Sequence, residues 1–271
     1  MKKMIKTAAV IMSTIMVFSM TACAKNADPK EVFDAAVKKN SELTSLDMDT
    51  TMKMTMTQGE ETMDITVDMN MKMSNMNEDS MQYLADTKTS LMGQSMDARI
   101  FYKDGYYYMD GMGQKIKYPM DLNSMIASVE QTTAAADLAP SLMKSLSVRE
   151  EGENRVLSYV ADPAKMNAYV QDALKPLLGS MDVGMIIREV KGEYVINKDD
   201  YYMSMNMYMV MDMSSYGETL RIIMLLEGNF NNPGQPVNLE LPSTDGYSDL
   251  STYYGTSRGS SGATGPAAEI W

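Results

Sequence analysis

The chain has 271 residues, 45% of them hydrophobic, with 32 methionines, a single cysteine, no histidine and a formal net charge of −12. Such acidity argues against nucleic acid and anionic lipid headgroups as partners, and the lack of histidine removes histidine triads, histidine general bases and histidine metal sites. The length suits one large domain or two small ones, with enough apolar residues for a real core.

Residues 1–22 read as an export signal. Lys2, Lys3 and Lys6 form a basic start, and Thr7–Met20 is an apolar or small-residue run too short to span a bilayer comfortably. The ending "SMTAC" resembles the lipobox of bacterial lipoproteins, with Met20 where leucine is usual. That resemblance implies that Cys23 becomes the first residue of the mature chain and carries a diacylglycerol. The alternative is an ordinary cut after Ala22 with an incidental cysteine. Residues 23–27 form a short tether, and 28–242 form the domain.

Asp28-Pro29 opens a helix, with aspartate as cap and proline in the first turn. Val32, Phe33, Ala36, Val37 and Leu43 share its apolar stripe. The segment "DMDTTMKMTMTQGEETMDITVDMNMKMSN" follows, Asp47–Asn75, with methionine at almost every second position. Met48, Thr50, Met52, Met54 and Met56 share one parity. After a turn at Gln58-Gly59-Glu60, Met63, Ile65, Val67, Met69, Met71 and Met73 share another. Period two predicts two antiparallel strands, each wet on one side and buried on the other. At about 3.3 Å per residue each runs on the order of 30 Å.

Further strands are expected at Met81–Met92, Met96–Lys103, Tyr106–Asp110 and Gln114–Tyr118, with Asp104-Gly105 a strong hairpin signal. Asp121–Ser147 reads as helical, capped by Asp121 and broken at Pro140. A strand at Asn154–Ala161 precedes a second Asp-Pro helix start at Asp162-Pro163. Strands follow at Met185–Ile196, Tyr201–Met213 and Thr219–Asn231, with a last short one at Val237–Pro242. The order fits either a weak internal duplication or one continuous sheet fed by two helices. Residues 243–271 are rich in Ser, Gly, Thr and Tyr and read as a flexible tail.

No P-loop, dinucleotide fingerprint or EF-hand spacing is present. The acid pairs Glu150-Glu151 and Asp199-Asp200 fall in expected turns. The chain is therefore read as a non-enzyme, with no catalytic residue, cofactor or metal assigned. The methionine faces admit three readings. An ordinary packed core is the plainest. An apolar ligand groove is the second, because methionine is flexible and polarizable and recurs on promiscuous apolar surfaces, whereas Leu, Ile and Val specify a rigid core better. Cu(I) binding by thioethers is the third, weakened because alternate residues on one strand face lie about 6–7 Å apart. The candidate groove residues are Met52, Met54, Met56, Met69, Met71, Met205, Met207, Met209 and Met211. The tyrosines of "FYKDGYYYMD" and "DDYY" are candidates for its rim.

Taken together, Cys23, "PKEVFDAAVKKNSELTSLDMDTTM", "RIFYKDGYYYMD", "YVINKDDYYMSMNMYMVMD" and "VNLELP" resemble the LolA/LppX-like lipoproteins and the related surface lipoproteins of Gram-positive bacteria. The resemblance covers most of Pro29–Pro242. It implies an α+β fold, a long, curved antiparallel half-barrel sheet with helices covering the concave face, which often holds a lipid. It implies a protein anchored by its N-terminal lipid to the extracytoplasmic face of the cell membrane, and it carries over no individual residue other than Cys23. The expected function is binding of an apolar ligand, a lipid, in a methionine-lined groove. The alternative is a surface module with a packed methionine-rich core that serves structure or an unidentified protein partner.

Overall fold

The computed structural model describes residues 27–250 except 77, 79, 122–123, 125–138, 179–182 and 216, with backbone alone for 172–178 and 183. The expected signal segment, Cys23, most of the expected tether, most of the helix expected from Asp121 and the expected tail beyond 250 lie outside the described residues.

Helix α1 (Pro29–Ser41) starts where the Asp28 side chain accepts from the Lys30 amide at 2.8 Å, with proline in the first turn. Its end is tied to the sheet by Asn40. That side chain donates to the Ala36 and Asp200 carbonyls at 2.7 and 3.1 Å and accepts from the Tyr202 amide at 3.2 Å. Six strands then run back and forth: β1 (Leu46–Gln58), β2 (Glu61–Ser74), β3 (Gln82–Leu91), β4 (Gln94–Lys103), β5 (Tyr106–Gly111) and β6 (Gln114–Pro119). Strands β7 (Met143–Glu151) and β8 (Asn154–Ala161) precede helix α2 (Pro163–Leu178). Strands β9 (Val183–Ile196), β10 (Tyr202–Ser215) and β11 (Glu218–Phe230) follow it, and β12 (Ser248–Asp249) ends the described chain.

The strands form a single 12-stranded sheet in the order β12-β6-β5-β4-β3-β2-β1-β11-β10-β9-β8-β7. It is one continuous, open sheet, the second of the two arrangements the element order allowed, and a curved α+β half-barrel describes it. All neighbours are antiparallel except β12, which runs parallel to β6. The two meanders are sewn together by the β1–β11 pairing, which runs from Met48 opposite Phe230 to Gln58 opposite Leu220.

Val32, Phe33 and Ala36 of α1 and Met166 of α2 pack into one core with Leu46, Met48, Met71, Met73, Leu157, Tyr159, Ile187, Val190, Tyr194, Ile196, Tyr202 and Met205. This defines the inner face, and the helices sit over its β7–β9 side. Helix α2 begins with the Ala164 amide donating to Asp162 at 2.9 Å. Asn167 then clamps β9, accepting from the Ile187 amide at 2.7 Å and donating to its carbonyl at 2.9 Å. The β9–β10 register slips beside this point, between Val210 and Met211, so these bonds satisfy backbone groups that the ladder leaves free.

Three expectations differ. Met143–Ser147 is the start of strand β7, not the end of a helix. Leu142, Met143 and Leu146 have helical spacing, but Pro140 opens only a single 3-10 turn, Pro140–Leu142, and the open edge of β8 supplies a ladder. Glu150 and Glu151 therefore lie in β7 and not in the turn. Val237–Pro242 forms no strand. Both edges of β11 are already taken by β1 and β10, which leaves that segment no edge beside the strand it follows. Finally, Tyr247–Leu250, expected within the tail, lies against the sheet. Ser248 and Asp249 pair with Ile116 and Lys117, and the Tyr247 ring packs edge-on against Phe101 and Tyr108 at 5.6 and 5.1 Å.

Candidate functional site

Register decides what the inner face presents. Met54 stands opposite Ile65 on β2 and Met224 on β11, and Met224 stands opposite Met209 on β10. One step along, Met52, Val67, Leu226 and Met207 share a level. One step the other way, Met56, Met63, Ile222 and Met211 do. Met69 faces Thr50, and Met205 faces Gly228, which is itself opposite Thr50. All nine candidate methionines thus share one face of four adjacent strands. Met71 and Met205 are buried in the helix-covered core, while Met52, Met54, Met56, Met69, Met207, Met209 and Met211 are half-buried.

The pairing carries this face past the methionines. From β3 to β6 it continues as Tyr83, Ala85, Thr87, Thr89 and Leu91; Met96, Ala98, Ile100 and Tyr102; Tyr107 and Met109; and Ile116 and Tyr118. Between the strand ends it holds no Asp, Glu, Lys or Arg on β1–β6 or β9–β11 among the described residues. The charges sit on the opposite face. There Thr51 and Thr55 donate to Asp68 and Asp64 at 2.7 Å, Asn70 donates to Asp49, and Asp212 lies between Arg188 and Arg221 at 2.9 Å from each.

Two features of the inner face were invisible in the sequence. The first is an aromatic row. Tyr83, Tyr102, Tyr107 and Tyr118 are cross-strand neighbours at one level, and the last two rings lie 5.0 Å apart. Burial pushes the Tyr83 phenol up to about 12; Tyr107 is pushed up by burial first and then by Tyr118 and Tyr83. Neither ring is fully covered, so the row is half-buried and still meets solvent. A second stack, Tyr159–Tyr194–Tyr202–Phe230, with centroids 5.4, 5.0 and 5.9 Å apart, fills the helix-covered side. A register shift between Tyr202 and Ser204 brings Tyr202 to that side against simple alternation. Of the tyrosines expected at a rim, Tyr107 and Tyr202 are on the inner face, and Tyr102 is too, donating to the Met120 carbonyl at 3.3 Å. Tyr106 and Tyr108 point the other way, and Tyr201 lies under Lys39 at 4.9 Å.

The second feature is Thr50. Its hydroxyl is buried with no hydrogen-bond partner, in the middle of the apolar face between Met48 and Met52. An unpaired buried hydroxyl costs stability unless something bonds to it.

A depression of about 700 Å³ lies on the charged, outer side of β1–β5, framed by Asp49, Asp68, Asp86, Lys88, Asp97, Arg99 and Asp110 over the strand positions of Thr50, Met69, Thr87, Ala98 and Gly111. Of the nine candidate methionines it touches Met69 alone. Among the described residues no group of three Asp, Glu, His or Cys side chains is placed to hold a metal, and no helix is long and apolar enough to cross a membrane.

Residues 28–243 match the model of a family of unknown function, DUF6612. The chain belongs to that family. This DUF6612 member is similar to the crystal structure of LprF from Mycobacterium bovis, with 13% identity, 79% of this chain and 97% of that one covered, and a TM-score of 0.41. It is also similar to lipoprotein LppX from Mycobacterium tuberculosis, at 10% identity, 78% and 98% coverage and a TM-score of 0.38. A LolA superfamily protein from Nitrosomonas europaea aligns at 10% identity, 79% and 96% coverage and a TM-score of 0.20. No curated protein matches.

Proposed function

We propose that this DUF6612 member is a lipoprotein, anchored through Cys23 to the extracytoplasmic face of the cell membrane, that binds a lipid against its methionine-lined inner face. The observation that carries the reading is the composition of that face. Between the strand ends it runs uncharged across nine strands among the described residues, seven of its nine candidate methionines keep contact with solvent, and Thr50 offers an unpaired hydroxyl in its midst. Each methylene of an acyl chain laid there contributes about 0.8 kcal/mol. Thioethers on flexible stems adapt to chains of different shape without a rigid pocket. The absence of counter-charges disfavours burying a carboxylate or phosphate, so a charged headgroup belongs outside the face.

The reading is tested on the full chain purified from membranes, by native mass spectrometry and organic extraction. A stoichiometric apolar molecule that remains bound through purification is expected. A chain free of any such molecule from several hosts, which also fails to take up added lipid, returns the methionine face to a packed core. Cys23→Ala tests the anchor separately: the protein should leave the membrane fraction, and one that stays there at unchanged mass removes the anchor from the proposal.

A further inference from the structure

Three hairpins of this sheet share one turn geometry and differ in sequence. The β3–β4 turn is Met92-Gly93 with φ values of 51° and 80°, the β4–β5 turn is Asp104-Gly105 at 51° and 79°, and the β5–β6 turn is Met112-Gly113 at 51° and 75°. Two consecutive positive φ values are the hairpin conformation that favours Asn-Gly and Asp-Gly. Among the described residues the other non-glycine positions with positive φ are Asn75, Asp200 and Asn232, so Met92 and Met112 are the exceptions in kind. They gain no packing in return, being 79% and 81% exposed. Aspartate in the identical turn one hairpin away shows that the backbone does not ask for methionine.

The two exceptions lie at the same end of the sheet. In a meander, the β3–β4 and β5–β6 turns share one rim and Asp104-Gly105 lies on the other. Both tips read Met-Gly-Gln and carry no charge. The Met92 tip is continuous with the inner face, through Leu91 opposite Ile65, and through Met96, which is 43% exposed and opposite Thr89, while Met112 borders the depression of β1–β5. Glu60, Glu61 and Glu218 flank the same rim on the β1–β2 and β10–β11 side. That confines an apolar contact to the β3–β6 quarter and disfavours a negatively charged surface.

The geometry points to the Met92 and Met112 tips as the place where this protein enters the surface of a lipid bilayer. A thioether rim that opens at its Met92 side onto an uncharged wall gives an acyl chain a path from the membrane without crossing water. This inference rests on the lipid-binding reading for its purpose, but not for its test.

The test uses the full chain in phosphatidylcholine vesicles and an internal control, Asp104→Met, which places a methionine in the same turn on the opposite rim. Aqueous hydrogen peroxide transfers one oxygen to each accessible thioether sulfur and leaves as water, and peptide mass mapping reads the rate at each site. Met92 and Met112 are expected to oxidise several-fold more slowly than the methionine introduced at position 104. Equal rates at the three turns overturn the proposal. So does protection that disappears when the protein is diluted in excess lipid, which assigns the tips to a second copy of the chain. In a parallel variant, Met92→Asn with Met112→Asn, the backbone remains satisfied because asparagine accepts this conformation. Transfer of lipid between vesicle populations should slow several-fold while the lipid that co-purifies is unchanged; unaltered transfer counts against the tips. A chain with no co-purifying lipid refutes the inner-face reading and still leaves the oxidation rates to decide this one.

Discussion

Met54 and Met224 stand directly opposite each other on β1 and β11, the seam that joins the two halves of the sheet, and Met209 completes the row on β10. A seam between two meanders would ordinarily be fixed by β-branched or aromatic pairs. Here adaptable thioethers meet, half-buried, on a face without charge. The seam is therefore the part of the inner face whose side-chain contacts are the most adaptable.

Met54→Glu combined with Met207→Glu should abolish lipid co-purification while the purified chain keeps its strand signal in circular dichroism. The matched pair Met54→Leu and Met207→Leu should retain lipid, because it preserves the apolar surface. If the face is instead a dry core, the glutamates unfold the protein, since a buried unpaired carboxylate costs several kcal/mol. Thermal unfolding of both variants distinguishes the outcomes.

Thr50→Val should raise stability by about 1 kcal/mol, because it removes a buried hydroxyl that has no partner in the protein. If that hydroxyl bonds a ligand carbonyl or hydroxyl, the same change weakens retention of polar-headed lipids and spares wholly apolar ones. A Thr50→Val chain that is less stable when stripped of lipid would mean that the hydroxyl already has a partner.

The long alternations of β1, β2, β10 and β11 were legible because period two survives any tertiary context that buries one face. The Asp-Pro starts of both helices and the Asp104-Gly105 turn were legible because each carries its own local chemistry. Strand β7 was not. Its apolar spacing suits a helix, and only the free edge of β8 makes it a strand. The row Tyr83–Tyr118 needed the register of three hairpins at once, which no single stretch encodes. Tyr247 looked like tail composition until Phe101 and Tyr108 showed an outer face that needs covering. The membrane-facing tips were hidden for the opposite reason: Met-Gly is a weak turn signal, and it is informative only beside the Asp-Gly turn of identical geometry.

Asp212 predicts a pH response on the outer face. Hydrogen bonds from Arg221, and then Arg188, outweigh burial and lower its carboxyl to about 2. Because the folded value lies below the ordinary one near 3.8, the stabilisation is complete above that value and is lost as pH falls from about 4 towards 2. The carboxylate is covered by arginines whose own side chains are 52% and 58% exposed, so solvent screening reduces the contribution to about 1 kcal/mol. Asp212→Asn should lower the melting temperature at pH 7 and flatten the acid limb of the stability profile between pH 4 and 2. An unchanged acid limb would remove Asp212 from the account.

Gly192 separates fold from ligand. It lies opposite Tyr159 on β8 and Met207 on β10, and a methyl group there would sit 2.1 Å from the Asn206 carbonyl oxygen and 2.7 Å from the Tyr159 hydroxyl oxygen. Tyr159 lies over the bare glycine backbone and leads the stack through Tyr194 and Tyr202, and its own phenol is pushed up to about 12, mainly by burial. Gly192→Ala cannot be absorbed by swinging a flexible side chain aside, because the nearest contact is backbone. It should cost about 3 kcal/mol and loosen the β9–β10 pairing. The loss should be the same whether or not lipid is bound, since this side of the inner face is filled by α1, α2 and the aromatic stack. Unfolding of lipid-loaded and stripped protein by denaturant, compared between Gly192 and its alanine variant, measures both numbers. If the penalty shrinks on lipid loading, the ligand reaches beyond the methionine seam into the aromatic side of the face.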